Sequence, residues 1–111
     1  MGLFYFYMPT IFTRIIKGEI PTEKIEYEDE FCIVLHDLHP KAPIHLLIIP
    51  KKEIPTIMDA EDSDQALLGH LLLVARNMGK KMGLEGYRLQ FNVGEKGGQE
   101  IPHIHLHLLG G

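Results

Sequence analysis

The chain has 111 residues, 45% hydrophobic and 23% charged, which is the size and balance of one folded domain and excludes a disordered chain. Eleven basic against fifteen acidic residues leave a formal charge of −4, and the basic pairs Lys51-Lys52 and Lys80-Lys81 are too small to hold a nucleic-acid polymer by counterion release. Cys32 is the sole cysteine, which leaves no intrachain disulfide and points to the cytoplasm.

Met1-Gly2-Leu3-Phe4-Tyr5-Phe6-Tyr7 is apolar, but it lacks a basic leader and is much shorter than the roughly 20 residues that span a bilayer. It reads as an extension, 1–7, ahead of a domain over 8–111, with no membrane attachment. Thr10 can cap a short helix through Ile15 and Ile16, with Gly18 just past its end and Pro21 forcing an exit. Ile25-Glu26-Tyr27-Glu28 alternates, Asp29-Glu30 supplies a turn, and Phe31 to Leu35 is an apolar run, a hairpin pattern. After the Asp37-Leu38-His39-Pro40 turn, His45 to Ile49 is a second buried-strand pattern, closed by Pro50. From about Asp62 to Met82 the apolar positions Leu67, Leu71, Ala75, Met78 and Met82 recur every three or four residues, one face of a long helix ended by Gly83. Tyr87, Leu89, Phe91 and Val93 alternate with Arg88, Gln90 and Asn92, and His103 to Leu109 repeats that period. The expected fold is α+β, an antiparallel five-stranded sheet with one long and one short helix.

The strand His103-Ile104-His105-Leu106-His107 puts three imidazoles on one face, in a row about 13 Å long at roughly 3.3 Å per residue. Three readings are open: a surface strand, a metal site in which two neighbours chelate with His45 as third ligand, or histidine-based catalysis. One ion cannot reach both ends of the row, because zinc–nitrogen bonds are only about 2.0–2.1 Å. Isolated His36, His39 and His70 read as structural or surface residues. Upstream, Gly94, Gly97 and Gly98 form a loop whose amides can approach an anion closely.

Gly97-Gly98-Gln99-Glu100-Ile101-Pro102-His103-Ile104-His105-Leu106-His107-Leu108-Leu109 resembles the signature of the histidine triad family, histidine and hydrophobic residue alternating three times. The likeness continues in Thr10-Ile11-Phe12, in Ile16-Lys17-Gly18-Glu19-Ile20-Pro21, and from Asp37 through His45 to Ile49-Pro50-Lys51-Lys52. From about Met8 to Gly111 the chain is similar to the nucleotide-binding branch of that family, which implies the histidine triad fold and a purine nucleoside phosphoramidase.

The resemblance implies roles for particular residues. His105, the middle histidine, would be the nucleophile, forming a nucleotidyl-histidine that water then cleaves, with its second ring nitrogen held by a main-chain carbonyl. His103, His107 and His45 would orient and stabilise the phosphoryl oxygens. Asn92 would lie near the scissile phosphate and Asp37 would accept the ribose hydroxyls. Gly98, Gln99, Glu100 and Ile101 would line the substrate, and Phe12, Ile15, Ile20, Leu35 and Leu38 an apolar slot for the base. No metal or cofactor is implied. A purine nucleotide would be the ligand, and a homodimer would pair the long helices and the strand near Tyr87 to Val93 across a two-fold axis. Two alternatives accompany the phosphoramidase reading: dinucleoside polyphosphate hydrolysis, and a non-catalytic, nucleotide-responsive interaction protein. Three departures bear on the leaving group and the loop: Glu100 stands where many relatives have serine, Pro102 where an aromatic residue is common, and the chain ends at Gly110-Gly111 where relatives carry a tail.

Overall fold

A computed structural model describes residues 9–111; the expected extension over 1–7 lies outside the described residues. In chain order the elements are α1 (Ile11–Ile16), β1 (Ile25–Glu28), β2 (Cys32–His36), β3 (Ile44–Pro50), α2 (Gln65–Lys81), β4 (Tyr87–Gln90) and β5 (Leu106–Gly110), with short 3₁₀ turns before α2 and after β4. The five strands form one antiparallel sheet in the order β1-β2-β3-β5-β4, the expected α+β architecture.

Strand parity explains why β2 and β3 read as unbroken apolar runs: both faces of the central sheet are covered. Cys32, Val34, Leu46, Ile48, Leu106 and Leu108 form one buried cluster with Leu71, Val74, Ala75 and Met78 of α2. The alternate residues Ile33, Leu35, Leu47 and Ile49 form a second cluster with Phe12, against which Ile15, Ile16 and Ile101 pack. The helical spacing seen in the sequence is therefore the face that α2 turns to the sheet, with Leu67 and Met82 partly buried at its ends. Gly79 is required by close approach, because a Cβ there would overlap the Tyr87 ring.

Three expected boundaries move. Residues 62–64 form a 3₁₀ turn and α2 begins at Gln65; buried Asp64 accepts the Glu61 N–H at 2.9 Å and the Lys52 ammonium at 2.6 Å. β5 begins at Leu106 and not at His103. Pro102 has no N–H to offer a ladder, the His103 N–H turns back to the Ile101 carbonyl (2.8 Å), and the Ile104 N–H donates to Ile54 O (2.8 Å) in the loop after β3. The β4–β5 ladder ends at the Gln90–His107 pair, and β4 stops there, short of Val93.

Candidate active site

The sheet surface facing α1 carries the histidines. Ile104, Leu106 and Leu108 all point into the α2 cluster, so His105 and His107 fall on the opposite side by alternation. The register of β3 against β5 pairs His45 with Leu109 and Leu47 with His107, which makes His45 and His107 diagonal neighbours on that same side. A cavity of about 840 Å³ opens over them. Its wall includes His45, His105 and His107, the apolar residues Phe12, Ile15, Ile20, Leu35 and Leu38, and Asp37, Asn92, Gly98, Glu100 and Ile101. The structure thus brings together thirteen of the residues that the sequence singles out.

Two singled-out residues stand apart. The His103 ring is fully buried and does not line the cavity, so a direct part for that ring in holding phosphoryl oxygens has no geometry behind it. Phe12 packs edge-on against both His103 and His105, at centroid distances of 5.6 and 5.0 Å, under α1. The His103 Nε2–H donates to the Pro50 carbonyl (2.8 Å), and Nδ1 accepts from the Thr10 hydroxyl (2.8 Å). Thr10 is also the N-cap of α1, accepting the Thr13 N–H at 3.2 Å, and Glu53 takes the Thr10 N–H and the Thr13 hydroxyl. His103 is thereby the buried joint between α1, the end of β3 and the histidine segment. Gln99 braces the glycine loop from outside the cavity: its carbonyl oxygen accepts the Gly94 N–H (2.9 Å) and its amide nitrogen donates to Ile101 O (2.9 Å). Gly98 has φ +86, and a Cβ there would approach the Asn92 amide nitrogen at 3.4 Å, which itself donates to Gly97 O at 2.9 Å.

Hydrogen bonds assign the tautomers. The His105 Nδ1 lies 2.8 Å from the His103 carbonyl; a carbonyl only accepts, so Nδ1 carries the proton and Nε2 keeps its lone pair. His45 Nδ1 accepts the Lys41 backbone N–H (3.1 Å), leaving its proton on Nε2, which donates to His107 Nδ1 (2.9 Å) with Asp37 Oδ2 at 3.4 Å. His107 Nε2 is then an N–H donor. With the His105 and His107 rings 4.9 Å apart, a nucleophilic nitrogen stands beside a donor, the pairing needed to attack an anionic centre while holding one of its oxygens.

Burial favours the neutral rings. It lowers the pKa of His45, His103 and His105 below 6.5, and burial together with the neighbouring His105 and His45 takes His107 down to about 4. The unfolded chain therefore binds protons that the folded chain refuses between pH 6.5 and about 4, so stability present above pH 6.5 is lost as pH falls through that window. Thermal melts between pH 7 and 4 should show a falling Tm, and His107→Gln should flatten the slope; an equal slope in that variant would contradict the assignment.

Residues 9–111 match the family model described as scavenger mRNA decapping enzyme C-term binding. An uncharacterized HIT-like protein of Synechococcus elongatus is 50% identical over 103 residues, 92% of this chain and 90% of that protein. The chain belongs to the histidine triad (HIT-like) family. A HIT family hydrolase from Legionella pneumophila Philadelphia 1 shares its fold at a TM-score of 0.89 and 50% identity, over 93% of each chain. A histidine triad nucleotide-binding protein from Candida albicans does so at a TM-score of 0.79 and 31% identity, over 90% of this chain and 73% of that one.

The sequence did not point to the Lys41 amide, to Gln90, which lines the cavity, or to the Thr10, Thr13 and Glu53 network. A main-chain donor leaves no trace in residue type, and Glu53 meets Thr10 only because the chain folds back across 43 positions.

Proposed function

We propose that this chain is a nucleotide hydrolase that cleaves purine nucleoside phosphoramidates through a nucleotidyl-histidine on His105. The observation that carries the reading is the His105 Nδ1–His103 carbonyl bond of 2.8 Å, which leaves the Nε2 lone pair at the wall of a nucleotide-sized cavity. The names of the Legionella and Candida relatives, a hydrolase and a nucleotide-binding protein, support the reaction class and the ligand.

In the first step the Nε2 lone pair forms a bond to phosphorus and the P–N bond to the amine breaks. The amine leaves with that electron pair and takes up a proton. In the second step water attacks the same phosphorus, the N–P bond breaks with its electron pair returning to Nε2, the water's proton passes to solvent and replaces the one the amine took up, and neutral His105 returns. Splitting one slow substitution into two displacements lowers each barrier. His107 Nε2–H, held as a donor by the His45 chain, meets the negative charge that builds on the phosphoryl oxygens. Asp37 has Oδ1 occupied by the His39 N–H at 2.8 Å, while its other oxygen faces the cavity region beside His45 and is suited to accept ribose hydroxyls. Phe12, Ile15, Ile20, Leu35 and Leu38 offer a flat base an apolar wall.

Mass spectrometry of enzyme quenched during turnover should find a nucleoside monophosphate adduct on the peptide containing His105. Specificity constants should favour a purine nucleoside phosphoramidate over a dinucleoside polyphosphate. A large preference for the polyphosphate would reassign the substrate, and turnover with no adduct would remove the covalent mechanism.

We also infer a two-fold dimer through α2 and β4. β4 is an edge strand of the sheet, its Leu89 is exposed, and Leu72 and Leu73 are exposed on α2, a set of apolar side chains suited to an isologous contact. Sedimentation should give twice the chain mass, and Leu89→Arg should halve it; a monomeric wild-type chain at micromolar concentration would refute the assembly.

A further inference from the structure

Asp29, Cys32 and His70 converge on the far side of the sheet from the histidine cavity and none of them lines it. They arrive from three places: Asp29 from the β1–β2 turn, Cys32 from the start of β2, and His70 from the second turn of α2. Asp29 Oδ1 accepts the N–H groups of Phe31 and Cys32 at 2.8 and 2.9 Å, which closes the turn. That role uses one oxygen only. The other, Oδ2, takes the Tyr27 hydroxyl at 2.8 Å and His70 Nε2 at 2.7 Å. The Cys32 side chain is fully buried and sits in the α2 cluster. One donor atom from each of the three residues lies within 4.8 Å of the other two. Phe31 leans edge-on against the His70 ring at 5.3 Å and shields one side of the group.

A turn-closing aspartate and an aspartate–histidine pair account for two of the residues. The Cys32 thiol joins them at the same carboxylate through a hydrogen bond to Asp29, so three donor types from three elements meet at one point. Carboxylate, thiolate and imidazole are together the donor types of zinc, and a set containing sulfur and nitrogen disfavours magnesium and calcium. We propose that Asp29, Cys32 and His70 form a zinc-binding site, with the cation held by one carboxylate oxygen, the Cys32 thiolate and His70 Nε2, and water as fourth ligand.

The charges balance, since carboxylate and thiolate together neutralise a divalent ion. The protons balance too. The thiol proton goes to solvent, and the imidazole proton that now lies on Nε2 moves to Nδ1, so one proton leaves per ion bound. Donors about 2.0–2.3 Å from a tetrahedral zinc stand roughly 3.3–3.8 Å from one another, so the present arrangement closes on the ion by shifts of about one ångström. Bound zinc would tie the β1–β2 turn to α2, and its binding free energy would add to the stability of the fold. This departs from the metal-free expectation carried by the family resemblance.

Cys32 is the sole cysteine, and no described residue that lines the histidine cavity carries a thiol, so a thiolate-to-metal charge-transfer band reports this site alone. Titration of untagged, metal-free full-length chain with Co²⁺ should produce that band, saturating near one ion per chain and erased by added Zn²⁺. His70→Gln and Cys32→Ser should each abolish it, while His45→Gln should retain it. His70 is only half-buried, so His70→Gln should keep the metal-free Tm of the wild-type chain, and Zn²⁺ should raise Tm in the wild type by several degrees more than in that variant. The absence of a charge-transfer band in the wild-type chain, or a band of full strength in His70→Gln, would overturn the proposal. Neither result touches the reading of His105, which is judged by the nucleotide adduct.

Discussion

Replacing His105 by alanine is expected to lower phosphoramidate turnover by roughly 10⁴-fold or more, the order of loss when the central residue of a covalent mechanism is removed. The loss should fall on kcat, and the quenched enzyme should carry no nucleotide adduct. Nucleotide binding should persist, because the apolar wall and Asp37 are untouched. The fold should persist as well: His105 is only partly buried, and the neighbouring Ile104 and Leu106 keep their places in the α2 cluster. His105→Ala that retained substantial turnover would sink the mechanism, and measured binding with no turnover in the wild-type chain would favour a nucleotide-responsive binding protein instead.

Leu106→Ala is expected to have the opposite profile. Leu106 lies between the two cavity histidines in sequence and points to the other face, 1% exposed, in the cluster with Leu71, Val74 and Met78. It also pairs with Ile48 in the first register position of β5. Removing a buried leucine of this kind costs about 2–5 kcal/mol from lost burial and the cavity left behind, which for a domain of this size lowers Tm by on the order of 10 °C or more. Because the substitution leaves every hydrogen bond of the site in place, turnover should survive at temperatures where the variant is folded. Calorimetry and cold assays on the same preparation check both halves, and a Tm unchanged from wild type would show that β5 is not anchored through this residue.

The two variants separate what one tripeptide does. In His105-Leu106-His107 the outer residues serve the cavity and the middle one serves the core, and a period of two is the physical reason. The same parity made much of the fold legible beforehand. The spacing of Leu71, Ala75 and Met78 marked α2 because a helix must bury one stripe, and the apolar runs of β2 and β3 marked strands covered on both sides. Boundaries were less legible where a backbone group found a distant partner. Ile104 N–H bonds to Ile54 O, across a separation that no local pattern records, and β5 starts only after it, at Leu106.

By itself the sequence determined the family, the order of elements, and the residue types that meet at the cavity, since those follow from local periodicity and from long motifs. Only the tertiary structure decided where each histidine sits and on which nitrogen it keeps its proton. It sealed the His103 ring under Phe12 and used its carbonyl to fix the His105 tautomer. It set His107 as a donor through His45 and the Lys41 amide. Alike in sequence, the histidines differ in role because a ring's proton is placed by whichever group faces it, and here those groups come from strand register, a turn amide and a helix cap brought together across the whole chain.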